Sequence, residues 1–202
     1  MRRTFMLESE DGCLSLRERG IGILRLTMVL LFAACSVLNG QAQSSKLSDY
    51  DIKAAYLFNF GRFVEWPSGG DSPNGGPFTF CILGHDPFGL NLDHMLAGRT
   101  INNKAITVKR IATAEESSGC QVLFLDAEEQ GKLNKIIEAL DDEAVLTVSD
   151  IPEFSKHGGM IQFVEKENRV RFEVNLDATQ RAGLTLSSDL LKVATAVKRQ
   201  SR

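Results

Sequence analysis

The chain has 202 residues, of which 43% are hydrophobic and 24% are charged, and its formal net charge at pH 7 is −3. This length suits one domain with a sizeable core, and the composition excludes wholesale disorder, collagen and coiled coil. The pI near 5.7 argues against nucleic-acid binding, which usually requires a basic excess.

The N-terminal segment predicts a secretory signal peptide. An apolar run of 13 residues, Leu26 to Leu38, follows a basic segment that ends at Arg25 and precedes the small residues Gly40 and Ala42. The run is too short for a membrane-spanning helix, which needs about 20 apolar residues. We therefore predict that residues 1–42 are a signal peptide and are removed.

A lipoprotein signal is the alternative interpretation of this segment, with Cys35 as the lipidated residue. Phe32 is a poor residue at the first position of such a signal, so cleavage after Ala42 is the favoured prediction. Five of the 23 Lys and Arg and four of the 26 Asp and Glu precede residue 43, so the mature chain, residues 43–202, has a net charge of −4. The signal peptide predicts a periplasmic location.

Helices and apolar strands alternate along the mature chain. An amphipathic helix is predicted from Ser48 to Trp66, with a capping box at Ser48 and Asp51 and with Pro67 ending it. A flexible loop follows, and then the remaining predicted elements: strands at 78–83, 105–111, 121–125, 144–148, 160–164 and 169–174, and helices at about 88–96, 128–140 and 187–197. We predict a single three-layer α/β domain, with a mostly parallel sheet flanked by helices and an antiparallel C-terminal hairpin.

The sequence contains no catalytic motif. It lacks a phosphate-binding loop, a dinucleotide-binding fingerprint and a nucleophile elbow. The pairs His85–Asp86 and Asp93–His94 are alternative metal ligands, but polar groups of a solvated turn and helix are the simpler interpretation. Cys81 is an alternative nucleophile, although a thiol buried in a strand is usually inert. We predict a protein that is not an enzyme and has no metal site and no cofactor.

Cys81 and Cys120 are the two cysteines of the mature chain. An even number of cysteines in an oxidising compartment indicates a disulfide, and the predicted strands place both residues at ends that can lie side by side. Two roles for the bond remain open, a structural staple and a bond that responds to the redox state of the periplasm. A thiol oxidoreductase is a third class, but its Cys-x-x-Cys motif is absent.

Two sets of side chains are candidates for binding a partner or a ligand. The first set widens the apolar face of the first helix and otherwise belongs to the core: Phe58, Phe63 and Trp66. The second set shares one face of the last hairpin strand and otherwise is a solvated face of the sheet: Arg171, Glu173 and Asn175.

Four segments, in order, resemble the YfiR family of bacterial periplasmic proteins. They are KAAYLFNFGRFVEWP at 53–67, FCILGHDPFG at 80–89, CQVLF at 120–124, and GMIQFV at 159–164, which continues through RFEVN at 171–175 to Leu190 and Leu191. The resemblance covers essentially the whole mature chain, from about residue 47 to residue 197.

The resemblance implies a regulator that acts by binding. YfiR-like proteins are periplasmic α/β proteins known chiefly for repressing YfiN, an inner-membrane diguanylate cyclase, through its periplasmic domain. They thereby restrain cyclic-di-GMP synthesis and biofilm formation until envelope or redox stress releases them. The best-known member is a dimer with two disulfides. Cys81 and Cys120 fit one of these pairs, whereas the stretch from Ser155 to Gln162 has no cysteine for the other.

Two alternatives remain open at the level of sequence. One is a periplasmic sensor or carrier of a small molecule, with a pocket near the polar hairpin face and no cyclase partner. The other is an accessory protein for a different inner-membrane receptor, such as a sensor histidine kinase. The family resemblance favours the cyclase repressor and also predicts a homodimer.

Overall fold

The computed structural model of the protein describes residues 48–67, 76–141 and 143–199. The predicted signal peptide, with Cys35, and most of the predicted loop between Pro67 and Phe78 lie outside these described residues. Among the helices of the described ranges, none has the length and apolar character needed to cross a membrane.

The described residues form ten strands and five α-helices. The strands are β1 (Val64–Glu65), β2 (Phe78–Leu83), β3 (Thr100–Ile101), β4 (Lys104–Ile111), β5 (Val122–Leu125), β6 (Leu146–Ser149), β7 (Ile161–Lys166), β8 (Arg169–Asn175), β9 (Thr185–Leu186) and β10 (Ala196–Lys198). The α-helices are α1 (Asp49–Phe63), α2 (Leu90–Leu96), α3 (Leu133–Ala139), α4 (Leu176–Arg181) and α5 (Ser188–Val193). Short 3₁₀ helices occupy Ala114–Ser117, Ala127–Lys132 and Phe154–His157.

Eight strands form one sheet in the order β10-β8-β7-β6-β5-β2-β4-β3. The central strands from β4 to β7 are parallel, and β7 and β8 form the antiparallel hairpin. At the edges, β10 is parallel to β8 and β3 is antiparallel to β4. A separate pair, β1 and β9, is antiparallel. The predicted α/β class, with a mostly parallel sheet and an antiparallel C-terminal hairpin, is confirmed.

The sheet separates two hydrophobic cores. Side chains along a strand alternate between its two faces, and in β2 Phe80 and Ile82 join the core beneath α1 and α2. Cys81 and Leu83 join the second core, which contains Leu133 of α3. Both faces of the central strands are therefore covered, and the molecule has the three layers expected for a parallel sheet.

Two predicted helices end earlier in the structure because the following residues pair with distant strands. The first helix ends at Phe63, and Val64, extended at φ −113° and ψ 138°, pairs with Leu186 of β9. The last helix ends at Val193 and gives way to β10, which lies beside β8. The predicted helix at 187–197 is therefore too long, since Val197 lies in β10 and is 40% exposed.

Candidate interaction surface

Helix α1 begins with the capping box that the sequence predicts. The Ser48 amide donates to Asp51 Oδ2 at 3.0 Å, and the Tyr50 amide donates to Ser48 Oγ at 3.1 Å. These bonds use amide groups that have no partner inside the helix. They fix the start of α1 at Asp49.

The inner face of α1 lies directly on the sheet. Phe60 is fully buried, and its ring centroid lies 5.0 Å from that of Phe172 in β8. Gly61 allows close approach to β3, because a Cβ atom there would lie 2.7 Å from Ile101 Cδ1. These two neighbouring residues hold the C-terminal part of the helix close to the sheet.

Two aromatic rings and two guanidinium groups form a continuous patch beside this packed face. Phe58 and Phe63 are half-buried, and the guanidinium of Arg62 lies 5.8 Å and 5.7 Å from their ring centroids. The guanidinium of Arg99, just before β3, lies 4.9 Å from the Phe58 centroid. These distances fall within about 6 Å, the range of cation–π attraction. We call Phe58, Arg62, Phe63 and Arg99 the aromatic–arginine surface.

The two phenylalanines of this surface are candidates that the sequence predicts, whereas the two arginines are not among the predicted residues. Arg62 carries a signal in the sequence, because it follows Phe58 by four positions and so lies on the same side of the helix. Arg99 carries none, because only the packing of α1 against the segment before β3 brings it to Phe58.

Trp66 lies beyond β1 rather than on the helix. Its ring is half-buried and meets the ring of Phe78 edge-to-face, with centroids 5.2 Å apart. The indole Nε1 is buried and has no hydrogen-bond partner among the described residues. A buried donor of this kind costs about 1–3 kcal/mol when it stays unpaired. Trp66 therefore belongs to the packing against β2 more than to the outer face of α1.

The polar candidates on β8 face away from α1. Phe172 points toward Phe60, so its neighbours Arg171 and Glu173 project from the opposite face of the strand. Glu173 Oε2 lies 2.5 Å from Lys198 Nζ of β10. The structure therefore does not bring the two predicted sets of site residues together.

Asn175 has a structural role at the end of β8. Its Nδ2 donates to the Ser155 carbonyl at 2.8 Å, and its Oδ1 accepts from the Ala178 amide at 3.1 Å, which caps α4. The residue is 9% exposed, and the oxygen and the nitrogen of its side-chain amide both form hydrogen bonds with main-chain groups. A ligand would have to displace these bonds in order to use Asn175.

The disulfide predicted between Cys81 and Cys120 is present. The two Cα atoms are 5.9 Å apart, within the usual range for this bond. Cys81 is 1% exposed and Cys120 is 3% exposed, and both belong to the second core. The bond joins β2 to the segment that enters β5, and it leaves Cys81 with no free thiol to act as a nucleophile.

The carboxylates considered as metal ligands bind an arginine instead. Arg110 Nε donates to Asp86 Oδ2 at 2.9 Å, and Arg110 Nη1 donates to Asp93 Oδ1 at 2.8 Å. The hydrogen bonds from Arg110 hold the pKa of Asp93 below its usual value, and the two carboxylates raise the pKa of Arg110. Within the described ranges, no three His, Cys, Asp or Glu side chains are grouped so that they could hold a metal ion.

Comparison with known proteins gives two findings. The model of a family described as YfiR/HmsC-like matches residues 50–195 of this chain. The solved structure of the ABC domain in complex with L-Trp from Streptococcus pneumonia is 12% identical, with a TM-score of 0.46. That match covers 64% of this chain and 57% of the other, so this chain spans little more than half of that protein's length.

Proposed function

This chain belongs to the YfiR/HmsC-like family, and we propose that it is a periplasmic regulatory protein that represses a membrane-bound diguanylate cyclase. The family match over residues 50–195 is the observation that carries this proposal. Proteins of this family are regulatory repressors rather than enzymes. Repression of the cyclase lowers the cyclic-di-GMP content of the cell and holds back biofilm formation.

Such a repressor acts through a difference in affinity. It must bind the inactive cyclase more tightly than the active one, and any signal must reduce that difference. Each factor of ten in preference corresponds to about 1.4 kcal/mol of binding free energy. The contact surface therefore has to distinguish two arrangements of the partner's periplasmic domain.

We propose that the aromatic–arginine surface makes this contact. Aromatic side chains and arginine are the residue types enriched at the centres of protein interfaces. Phe58 and Phe63 are already held by packing and by Arg62 and Arg99, so little side-chain entropy remains to be lost on binding. Trp66 is a further candidate at the border of the core.

The charge of this surface favours an acidic partner. The surface has two arginines on a mature chain whose predicted net charge is −4. A symmetric dimer formed through this surface would place the arginines of both copies together, and like charges across an interface are unfavourable. We therefore propose an acidic region on the cyclase as the partner and a different face for the predicted homodimer. Arg171 and Glu173, on the opposite face of the sheet, are candidates for such a second contact.

Redox-dependent release would act through the bond between Cys81 and Cys120. Both cysteines are nearly inaccessible to solvent, so a reductant reaches the sulfur atoms only after the second core opens. We infer that the bond stabilises the repressor, and that reduction releases the partner by lowering the stability of the fold.

The proposal is tested by measuring cyclic-di-GMP in cells with altered versions of the gene. Deletion should raise cyclic-di-GMP, and the double variant Arg62→Glu, Arg99→Glu should act like the deletion at unchanged protein level and thermal stability. The matched control is Lys166→Glu, Arg169→Glu, which makes the same change of charge at two exposed residues of the β7–β8 hairpin. This control should repress normally.

The possible outcomes separate the function from the surface. An unchanged cyclic-di-GMP level after deletion would remove the cyclase proposal. A rise after deletion together with full repression by the Arg62 and Arg99 variant would remove only the surface proposal. Co-purification from membranes then identifies the partner, since a captured sensor kinase in place of a cyclase would contradict the proposed target.

A further inference from the structure

A cavity of about 330 Å³ lies between the start of α1, the ends of β5 and β6, and the β7–β8 hairpin. Asp150 directly follows β6, and Ala127 lies two residues beyond β5, so the cavity is at the carboxyl ends of neighbouring parallel strands. Open α/β sheets bind ligands at this edge, and ligand cavities begin at about 300 Å³. None of the predicted site residues lines this cavity.

An ion pair is buried at the wall of the cavity. Lys53 Nζ lies 2.6 Å from Asp150 Oδ2, and the Tyr50 hydroxyl donates to the same oxygen at 3.1 Å. The side chains of Lys53 and Asp150 are only 13% and 15% exposed, and Lys53 Nζ also lies 4.1 Å from the Tyr50 ring centroid. Burial and Asp150 raise the pKa of Tyr50 to about 12, so its hydroxyl stays a donor. Because Asp150 neutralises it, Lys53 gives the cavity no net attraction for anions.

The remaining charges that the described residues place at the cavity are negative. Asp49 in the first turn of α1 and Glu165 in β7 are exposed residues of the lining, and among the described residues Lys53 is the one positive residue that lines it. The start of α1 is not an anion site either, because Ser48 Oγ and the Asp51 carboxylate already occupy it. The electrostatic potential of the cavity therefore favours a cation.

The kind of cation follows from the spacing of the carboxylates and from the apolar wall. Among the described residues, no three His, Cys, Asp or Glu side chains are grouped so that they could hold a metal ion, and the acidic side chains of this lining are no exception. Phe163 in β7 and Val170 in β8, which face α1, supply apolar surface to the lining. An ion with a carbon chain matches both features, whereas a bare metal ion gains nothing from the apolar wall and lacks a ligand set.

We propose that this cavity binds a small organic ammonium ion, with the charged nitrogen near the carboxylates and the carbon chain against Phe163 and Val170. The apolar part is then removed from water, and the ammonium group keeps carboxylate oxygens as acceptors. This site lies at the start of α1 and is separate from the aromatic–arginine surface near its end, so the proposal does not depend on the proposed repression.

The test is calorimetric titration of the mature, secreted protein with three probes of equal chain length: n-butylammonium, 1-butanol and butanoate. We expect n-butylammonium to bind at least about tenfold more tightly than the other two, because only it gains a charge interaction. The affinity should fall as sodium chloride is added. Equal affinity for the ammonium ion and the alcohol, tighter binding of butanoate, or no saturable binding of n-butylammonium would each overturn the proposal.

Variants at the rim locate the binding. Glu165→Gln should weaken n-butylammonium binding by about two- to fivefold, the size expected for an exposed charge. Ala127→Lys, at an exposed residue of the lining, should abolish this binding. The matched controls on α5 are Asp189→Asn and Val193→Lys, whose side chains are 73% and 61% exposed, and both should bind like the wild type. Full binding by Ala127→Lys would place the ammonium ion elsewhere and refute the site. These variants keep the buried pair of Lys53 and Asp150 intact.

Discussion

Removing the bond between Cys81 and Cys120 should lower the free energy of unfolding by about 4 kcal/mol. The perturbation is the double variant Cys81→Ala, Cys120→Ala, which leaves no unpaired thiol. The bond closes a loop with a sequence separation of 39, and chain-entropy theory gives about 4 kcal/mol for a loop of this length. Domains of this size have a total stability of about 5–15 kcal/mol. The loss is therefore a large fraction of the total stability of the domain.

The structure also predicts how fast the bond is reduced. With 1% and 3% of the two residues exposed, the native protein should show no reaction with Ellman reagent after brief treatment with a mild reductant. The same treatment in denaturant should release two thiols per chain. Urea unfolding of the wild type with and without reductant gives the free energy of unfolding that is lost with the bond. The double alanine variant loses the bond and also the packing of the sulfur atoms, so its difference from the reduced wild type measures the packing alone.

Two results would refute this reasoning. Release of both thiols from the native protein at the rate found in denaturant would show that the bond is accessible. A change in stability below about 1 kcal/mol, when loop closure predicts about 4 kcal/mol, would show that the loop is already constrained in the unfolded chain. In either case the burial of the second core would not control redox-dependent release.

Two further predictions concern packing and pH. Gly159→Ala should cost about 1–3 kcal/mol by overpacking, because its Cβ would lie 2.2 Å from a ring carbon of the buried Phe154. Gly131→Ala, with no atom within 4 Å of its Cβ, should unfold like the wild type in urea; equal effects of the two would contradict the packing argument. Arg110→Gln should destabilise the protein at pH 7 and progressively less toward pH 3. The arginine lowers the pKa of Asp93, so the stability it provides is present above the unfolded pKa and is lost as pH falls through the folded pKa. A stability difference that is constant between pH 7 and pH 3 would disprove this coupling.

The central parallel strands of the sheet could be predicted from the sequence because each is a short apolar run that must be buried on both faces. The predicted strand at 78–83 coincides with β2, and the runs near Val122 and Leu146 became β5 and β6 within two residues. The capping box of α1 was equally local, since its bonds join residues no more than three positions apart.

The short strands at the ends of helices were not predictable in the same way. Val64 continues the helical pattern in the sequence, yet it pairs with Leu186 more than a hundred positions later. β10 likewise exists because three residues after α5 find an open edge of β8. Hydrogen bonds to distant strands outweigh the weak helical preference of a single turn.

The candidate surfaces show the same difference between features set by local sequence and features set by contacts between distant segments. The sequence by itself determined the α/β class, the family, the pairing of Cys81 with Cys120 and the two phenylalanines of the aromatic–arginine surface, because each of these depends on local patterns or on residue counts. Only the tertiary structure decided that Arg99 joins that surface, that the polar set on β8 faces the other way, and that Lys53 meets Asp150 beside a cavity. The physical reason is that charge pairing and cavity shape depend on which elements pack together, and the packing of two helices or strands is set by contacts across the whole core.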